Sequence, residues 1–89
     1  MTTAASATIR VRVLFFASYA ELAGREEAEA VLASPARVND LLAWVRAVLP
    51  GAAGLPERPL VAINRRHARL DAALAEADEV ALLPPMAGG

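Results

Sequence analysis

The chain has 89 residues, contains no cysteine and carries a formal net charge of −1, and 56% of its residues are hydrophobic. That length suits one domain, and that hydrophobicity excludes a disordered chain. Near-neutral charge predicts no affinity for nucleic acid or an acidic membrane surface, and the lack of cysteine excludes disulfides, thiolate zinc sites and cysteine nucleophiles.

Residues 1–8 are uncharged and rich in Ala, Ser and Thr, and we expect a disordered N-terminus there. They lack the basic start and the apolar stretch of a signal peptide. The longer apolar runs elsewhere fall far short of a membrane span. The sequence therefore predicts a cytoplasmic protein with no membrane partner.

Residues 9–16 alternate in the manner of a β-strand. Val13 and Phe15 fall on one face, whereas the other face begins with Arg10 and Arg12 and ends with Phe16. Phe16 is therefore a candidate for exposed apolar surface or for cover by a loop.

Two short elements are predicted next. Ser18 is placed to cap a short helix over residues 19–23, which Gly24 would end. Residues 27–32 are rich in Ala and Glu, which favour helix, but they also alternate polar and apolar, and Pro35 leaves a helix little room. We predict a second strand there.

The clearest pattern covers residues 38–49, where apolar side chains recur at helical spacing and form one stripe. Asn39 and Asp40 lie in the first turn, where acceptors and negative charge are favoured, and Pro50-Gly51 ends the helix. Trp44 lies beside the stripe and is interpreted as a half-buried packing residue, with a partner contact as the alternative. The stripe consists of Val38, Leu41, Leu42, Val45, Val48 and Leu49.

The rest of the chain reads as short elements joined by turns. Asn64-Arg65 suits a turn between two strands, and Asp71 could cap a helical turn over residues 72–75. The pattern predicts a loop at 51–59 and strands at 60–63, 67–69 and 79–83.

One main helix among several strands predicts an α+β fold. The order fits a β-grasp (ubiquitin-like) domain over residues 9–83, with a mixed four- to five-stranded sheet. In that topology the first and last strands pair in parallel at the centre of the sheet. Residues 84–89 would follow as a flexible, extended tail.

The sequence offers no conventional active site. His67 has no His or Cys at metal-ligand spacing, no Gly-rich phosphate loop is present, and the carboxylates form no spaced acid–base pair. His67 is interpreted as a surface or interface residue. Arg65, Arg66 and Arg69 are interpreted as a solvated turn and edge, with a partner-facing basic spot as the alternative.

The tail carries the chemistry that the rest of the chain lacks. Pro84 and Pro85 favour extended backbone, and Gly88-Gly89 can enter a narrow slot because glycine allows close backbone approach. A terminal carboxylate has a pKa of roughly 3.3–3.7 and is ionised at neutral pH, so it could attack the α-phosphate of ATP. Because such chemistry needs Mg²⁺ and phosphate-binding groups, an activating partner would have to supply them.

With these features the sequence resembles the family of the small, sulfur-carrying subunits of molybdopterin synthase. The resemblance covers residues 9–89 and is strongest at Val13-Leu14-Phe15-Phe16-Ala17, at Glu21-Leu22-Ala23-Gly24 and from Asp78 to Gly89. The pairing of Phe-Phe-Ala near the start with Pro-Pro-Met-Ala-Gly-Gly at the end is specific to that family within the β-grasp background.

The resemblance implies a sulfur carrier rather than a catalyst. A ubiquitin-activating-enzyme-like adenylyltransferase would use ATP and Mg²⁺ to adenylate Gly89, and a sulfur donor protein would convert it to a thiocarboxylate. The tail would then enter the large subunit, whose catalytic pocket transfers the sulfur to a cyclic pyranopterin precursor. This chain would bind no cofactor itself.

The resemblance also implies partner contacts on the open face of the sheet and along the tail. By position these contacts fall on Phe16, His67, Leu83, Pro84, Pro85, Met86 and Ala87. Three residues depart from the family pattern: His67 replaces an apolar residue, Ala20 replaces a common arginine, and Ala77 replaces the glycine before Asp78.

Three alternatives share the predicted fold. The first is a sulfur carrier for thiamin thiazole or cysteine synthesis, and the second is a binding module with an incidental tail. The third is a ubiquitin-like protein modifier; the chain has no lysine, so it could not form lysine-linked chains of itself.

Overall fold

The computed structural model describes residues 7–85, and every predicted strand and both predicted helices are present with ends within one residue of the prediction. In chain order the elements are β1 (Thr8–Phe15), α1 (Ser18–Ala23), β2 (Glu27–Ala33), β3 (Ala36–Arg37), α2 (Val38–Val48), a 3-10 helix (Pro50–Gly54), β4 (Leu60–Ile63), β5 (Arg66–Ala68), β6 (Ala73–Leu74) and β7 (Glu79–Leu83).

The two ends of the chain meet inside one mixed sheet. Its strand order is β2-β1-β7-β4-β5, and β1 runs parallel to β7 with Val13 opposite Val80. The β1–β2, β4–β7 and β4–β5 pairs are antiparallel. This is the predicted β-grasp topology, with the first and last strands paired inside the sheet.

The core lies between one face of the sheet and α2. Val11, Val13 and Phe15 of β1 are buried there, because alternate residues of a strand point to the same face. Most of the predicted stripe covers them, since Val38, Leu41, Leu42, Val45 and Leu49 are buried. Val48 was also assigned to the stripe, and that assignment is wrong, because Val48 is 50% exposed. Trp44 is half-buried against this cluster, as predicted.

The start of α2 is held by its own first turn and by a distant loop. The Arg37 backbone N–H donates to Asp40 Oδ2 at 2.8 Å, so the predicted role of an acidic first turn is confirmed. The N–H groups of Val38 and Asn39 donate to the carbonyls of Ala72 and Leu70 at 3.0 and 2.9 Å. Three of the backbone N–H groups that a helix leaves unpaired at its N-terminus are therefore hydrogen-bonded.

Two predicted caps are wrong. Ser18 is the first residue of α1 rather than its cap; Ala17 holds that position with a positive φ of 51°, and no side chain caps the helix. Asp71 starts no helical turn, because Ala73–Leu74 is β6 and pairs with β3 in a separate two-stranded sheet. The carbonyl of Asp71 instead accepts a hydrogen bond from Arg37 Nη1 at 2.7 Å.

The loop predicted at residues 51–59 contains part of the 3-10 helix, which packs Ala52 into the core.

Near the N-terminus, β1 begins at Thr8, and the Ala7 carbonyl accepts the Ser34 N–H at 2.9 Å. Residues 1–6 of the predicted disordered N-terminus lie outside the described part. Within residues 7–85, none of the helices has the length and apolar character needed to cross a membrane.

Candidate functional site

The face of the sheet opposite α2 carries an apolar patch where the chain leaves β7. Strand register places Ala62 between Ala81 and His67, and it pairs Leu14 with Ala81. Leu60 lies opposite Leu83, and Phe16 follows beside Leu83 because Phe15 pairs with Leu82. We call this surface the exit patch; it consists of Leu14, Phe16, Leu60, Ala62, Ala81 and Leu83.

The exit patch is apolar and partly exposed, with Ala62 the one member that is buried. Phe16 is 45% exposed and Leu60 is 38% exposed, whereas Leu14 and Leu83 are half-buried. Large apolar side chains gathered on one open surface are typical of protein–protein contacts. The prediction that Phe16 lies on exposed apolar surface is confirmed.

The tail begins at the edge of this patch. β7 ends at Leu83, Pro84 is half-buried and Pro85 is exposed. Both prolines therefore leave the sheet beside Leu60 and Phe16. Met86, Ala87, Gly88 and Gly89, which the sequence predicts to enter a partner, lie outside the described residues, and their roles stay predictions.

His67 lies on β5, at the rim of the exit patch, with its side chain exposed. It is opposite Ala62, so the structure brings it to the same face as Phe16 and Leu83. Residues 7–85 contain no group of three or more His, Cys, Asp or Glu residues that could hold a metal ion. The structure thus places His67 at a surface suited to contact.

The opposite end of the open face is charged and internally paired. Arg12 contacts Glu27 at 2.7 Å and Glu79 at 3.5 Å. The hydrogen bond to Glu27, followed by attraction to that carboxylate, raises the pKa of Arg12 above its usual value. Since all three side chains are substantially exposed, such pairs add little stability. The ion pairs of Arg12 lie at the boundary of the exit patch.

The Asn64 turn joins this charged end to β7. Asn64 Nδ2 donates to Asp78 Oδ1 at 3.0 Å, and the Glu79 backbone N–H donates to Asn64 Oδ1 at 3.0 Å. Asn64 and Arg65 both have positive φ, which agrees with the predicted turn. The turn therefore fixes the start of β7 against the β4–β5 hairpin.

Sequence reasoning missed two residues of this surface and identified a third only as an alternative. Leu60 was assigned to a strand without a face, Arg25 was not connected with the patch, and Arg69 was named only in the alternative of a partner-facing basic spot. Arg25 lines a hollow with Phe16 and Ala20, and Arg69 lines another with Leu60 and His67. Alternation along each strand assigns a face, but only the pairing of strands shows which residues lie side by side.

The other two departures from the family pattern, Ala20 and Ala77, also lie within the described residues. Ala20 is half-buried and lines the same hollow as Phe16 and Arg25. Ala77 has a φ of 70°, so this turn keeps a left-handed backbone although its residue has a side chain.

Comparison with known proteins agrees with these features. Residues 13–89 match the model of the ThiS family. The chain belongs to the ThiS family. A relative from Chlamydomonas reinhardtii, the molybdopterin synthase sulfur carrier subunit, is 35% identical over 83 residues, which are 91% of this chain and 100% of the relative. The resemblance that the sequence motifs carry is therefore confirmed.

Solved structures share the fold along nearly the whole chain. SAMP1 from Haloferax volcanii is 30% identical with a TM-score of 0.80, over 90% of this chain and 99% of that protein. A chain in the complex of subunits 1 and 2 of molybdopterin-converting factor from Helicobacter pylori is 26% identical with a TM-score of 0.59, over 91% of this chain and 100% of that one.

Proposed function

We propose that this protein is the sulfur-carrier subunit of molybdopterin synthase and works through the carboxylate of Gly89. The observation that carries the proposal is the geometry of the exit: β7 ends at Leu83 and leads into Pro84-Pro85 beside an exposed apolar patch. A partner seated on that patch would receive the tail directly. The similarity to a molybdopterin synthase sulfur carrier subunit supports this pathway.

The proposed chemistry has two steps. A carboxylate oxygen of Gly89 attacks the α-phosphate of ATP, pyrophosphate leaves, and an acyl adenylate forms. Sulfide released by a donor protein then attacks the acyl carbon of Gly89, the bond to AMP breaks, and a thiocarboxylate forms. Residues 7–85 present no phosphate loop or metal cluster, so ATP and Mg²⁺ would be bound by a ubiquitin-activating-enzyme-like adenylyltransferase.

The proposed acceptor is the large subunit of molybdopterin synthase. The Helicobacter pylori neighbour is a complex of two subunits of molybdopterin-converting factor, which supports a partnership of this kind. In the proposal the catalytic pocket belongs to the large subunit, and sulfur passes there to a cyclic pyranopterin precursor. We place the adenylation of Gly89 and the formation of the thiocarboxylate in the cytoplasm, where ATP is available.

The test is the intact mass of the protein after incubation with the adenylyltransferase, Mg-ATP and a sulfur source. We expect a mass gain equal to the replacement of one oxygen by sulfur, located in the C-terminal peptide. A variant without Gly89 is the matched control and should show no gain while it unfolds at the same temperature, because a terminal residue adds little to the core.

The mass experiment contradicts the proposal if the truncated chain is charged equally well. The proposal is also contradicted if the intact chain stays unmodified under conditions in which the enzyme charges another known carrier. Mass measurement before incubation also establishes that Gly89 is the last residue. Addition of the large subunit and the precursor then tests whether the sulfur is consumed in the molybdopterin pathway.

A second candidate function is protein modification. The similarity to SAMP1, a small archaeal modifier protein, favours it. In that case the adenylated Gly89 would form an amide with a lysine of another protein, without transfer of sulfur to a precursor. Conjugates that carry this chain and depend on Gly89 would support this function.

A further inference from the structure

The row of residues from which the tail departs has an arginine at each end. Leu60, Leu83 and Phe16 form its apolar middle. Val61 pairs with Ala68, so Arg69 comes alongside Leu60. The Phe15 N–H donates to the Glu26 carbonyl at 2.9 Å, so Arg25 comes alongside Phe16. We call this line across the sheet the exit row.

The two arginines lie beside the apolar side chains and not only near them in the strand register. Arg25 lines a hollow together with Leu14 and Phe16. Arg69 lines a separate hollow together with Leu60 and His67. Glu26 and Glu27 also line the first hollow, and Glu57 and Asp71 line the second. A partner that covers Phe16 and Leu60 would therefore meet a guanidinium on either side, with carboxylates close to it.

The guanidinium groups of Arg25 and Arg69 are accessible to a partner, whereas that of Arg12 is paired within the sheet. Arg12 is satisfied by Glu27 and Glu79 on the same sheet face. Arg69 Nε lies 3.3 Å from Asp71 Oδ1, but these two side chains are 87% and 63% exposed, so this ion pair adds little and leaves the guanidinium accessible. Within residues 7–85 the ion pairs and side-chain hydrogen bonds do not include Arg25.

The separation of the two arginines can be derived from the sheet. They lie at the β2 and β5 edges of the strand order β2-β1-β7-β4-β5. Neighbouring strands are about 4.8 Å apart, so the four intervals give roughly 19 Å between the two backbones. An apolar patch attracts without direction, whereas two charges this far apart restrict how a partner can rotate on it.

We propose that Arg25 and Arg69 orient the large subunit on the exit row by pairing with two of its acidic side chains, one on each side of the apolar contact. This inference rests on the proposed function and adds the chemistry of the partner surface to it. A partner turned about the patch would lose one or both pairs, and its slot would no longer face Pro84.

The experiment measures the dissociation constant of the full-length protein for the purified large subunit at physiological salt. Arg25→Glu and Arg69→Glu should each weaken binding about tenfold, since like charges then face each other. Arg66→Glu is the matched control: it makes the same change of charge on β5, where strand alternation places Arg66 on the opposite side of the sheet from His67. It should change binding less than about twofold.

Three further variants, Arg25→Lys, Arg69→Lys and Phe16→Arg, separate the possible failures. Arg25→Lys and Arg69→Lys should keep most of the affinity because the charge remains. Equal losses in Arg25→Glu, Arg69→Glu and Arg66→Glu would overturn the inference, because the effect would then be general attraction. Loss of binding in Phe16→Arg with unchanged binding in Arg25→Glu and Arg69→Glu would overturn this inference alone. A wild-type protein that does not bind the large subunit would overturn the proposed function and the inference together.

Discussion

Phe15 and Phe16 are adjacent in the sequence, and the sheet places their rings in opposite environments. Phe15 is 3% exposed and belongs to the core, whereas Phe16 is 45% exposed at the exit patch. The face under α2 holds the buried aliphatic side chains of β1 and β7, such as Val13 and Val80. The other face holds the exit patch and the ion pairs of Arg12.

This difference divides two tasks between alternate residues of the same strands. Among residues 7–85 the buried residues are hydrophobic, and the one buried side-chain polar atom without a partner is the Tyr19 hydroxyl, so the covered face stabilises the fold through apolar burial. Within residues 7–85 no helix covers the open face, and Phe16 and Leu60 are exposed there. Substitutions on the two faces should affect different measurements.

The largest expected effect is the loss of stability in Phe15→Ala. Removal of a buried phenylalanine ring costs about 3–5 kcal/mol, because contacts are lost and a cavity remains. Phe16→Ala removes the same ring from an exposed site and should cost less than about 1 kcal/mol. Urea denaturation of the two variants gives the free energies of unfolding.

The Phe15 and Phe16 variants control for each other, since both make the same substitution at neighbouring positions. Similar losses of stability in the two would show that the open face also belongs to the core. In that case the exit patch would be a structural surface rather than a place for a partner.

Most of the fold could be predicted because its signals are local. Alternation fixed the faces of β1, and the apolar spacing of residues 38–49 identified α2. The small β3–β6 sheet gave no such signal, since each of its strands has two residues. The Asp71 prediction failed because the carbonyls of Leu70 and Ala72 are used by α2, a contact that only the tertiary structure creates.

Part of the candidate site could also be predicted, because its signals are local. Phe16 and Leu83 were found from alternation and the family resemblance, and the structure places them side by side. Arg25 and Arg69 are 44 positions apart in the sequence. Their positions at the two ends of the exit row depend on five strands taking a particular order, which no local pattern encodes.

A smaller effect is expected where the 3-10 helix packs against α1 at the margin of the covered face. A Cβ atom added to Gly51 would overlap the backbone oxygen of Leu22, so the backbone would have to move. Gly51→Ala should therefore destabilise the protein by about 1–3 kcal/mol, as other overpacked sites do. Thermal or urea unfolding measures the change.

Gly54→Ala is the matched control for Gly51→Ala, because both glycines belong to the same 3-10 helix. A Cβ atom at Gly54 would meet the side chain of Leu22 at 3.6 Å, an ordinary van der Waals contact. We expect a change below about 0.5 kcal/mol. Equal losses in the two variants would mean that the close approach at Gly51 does not limit the packing of α1.

The smallest expected effect is a gain of stability in Ala77→Gly, in the turn that sets the register of β7. The Ala77 N–H donates to the Arg10 carbonyl at 2.7 Å, and the Arg12 N–H donates to the Asp78 carbonyl at 2.9 Å. A slip of one residue here would exchange the residues of β7 between the covered face and the open face.

Ala77 holds this turn with a φ of 70°, which costs a residue with a Cβ atom about 1–2 kcal/mol. Glycine removes that cost but makes the unfolded chain more flexible, so the net gain should be about 0.5–1 kcal/mol. Ala75→Gly, at an exposed site that lacks a positive φ, is the control and should lose a similar amount. If Ala77→Gly loses stability as Ala75→Gly does, the left-handed turn is not strained, and other contacts must hold the register that separates the two faces.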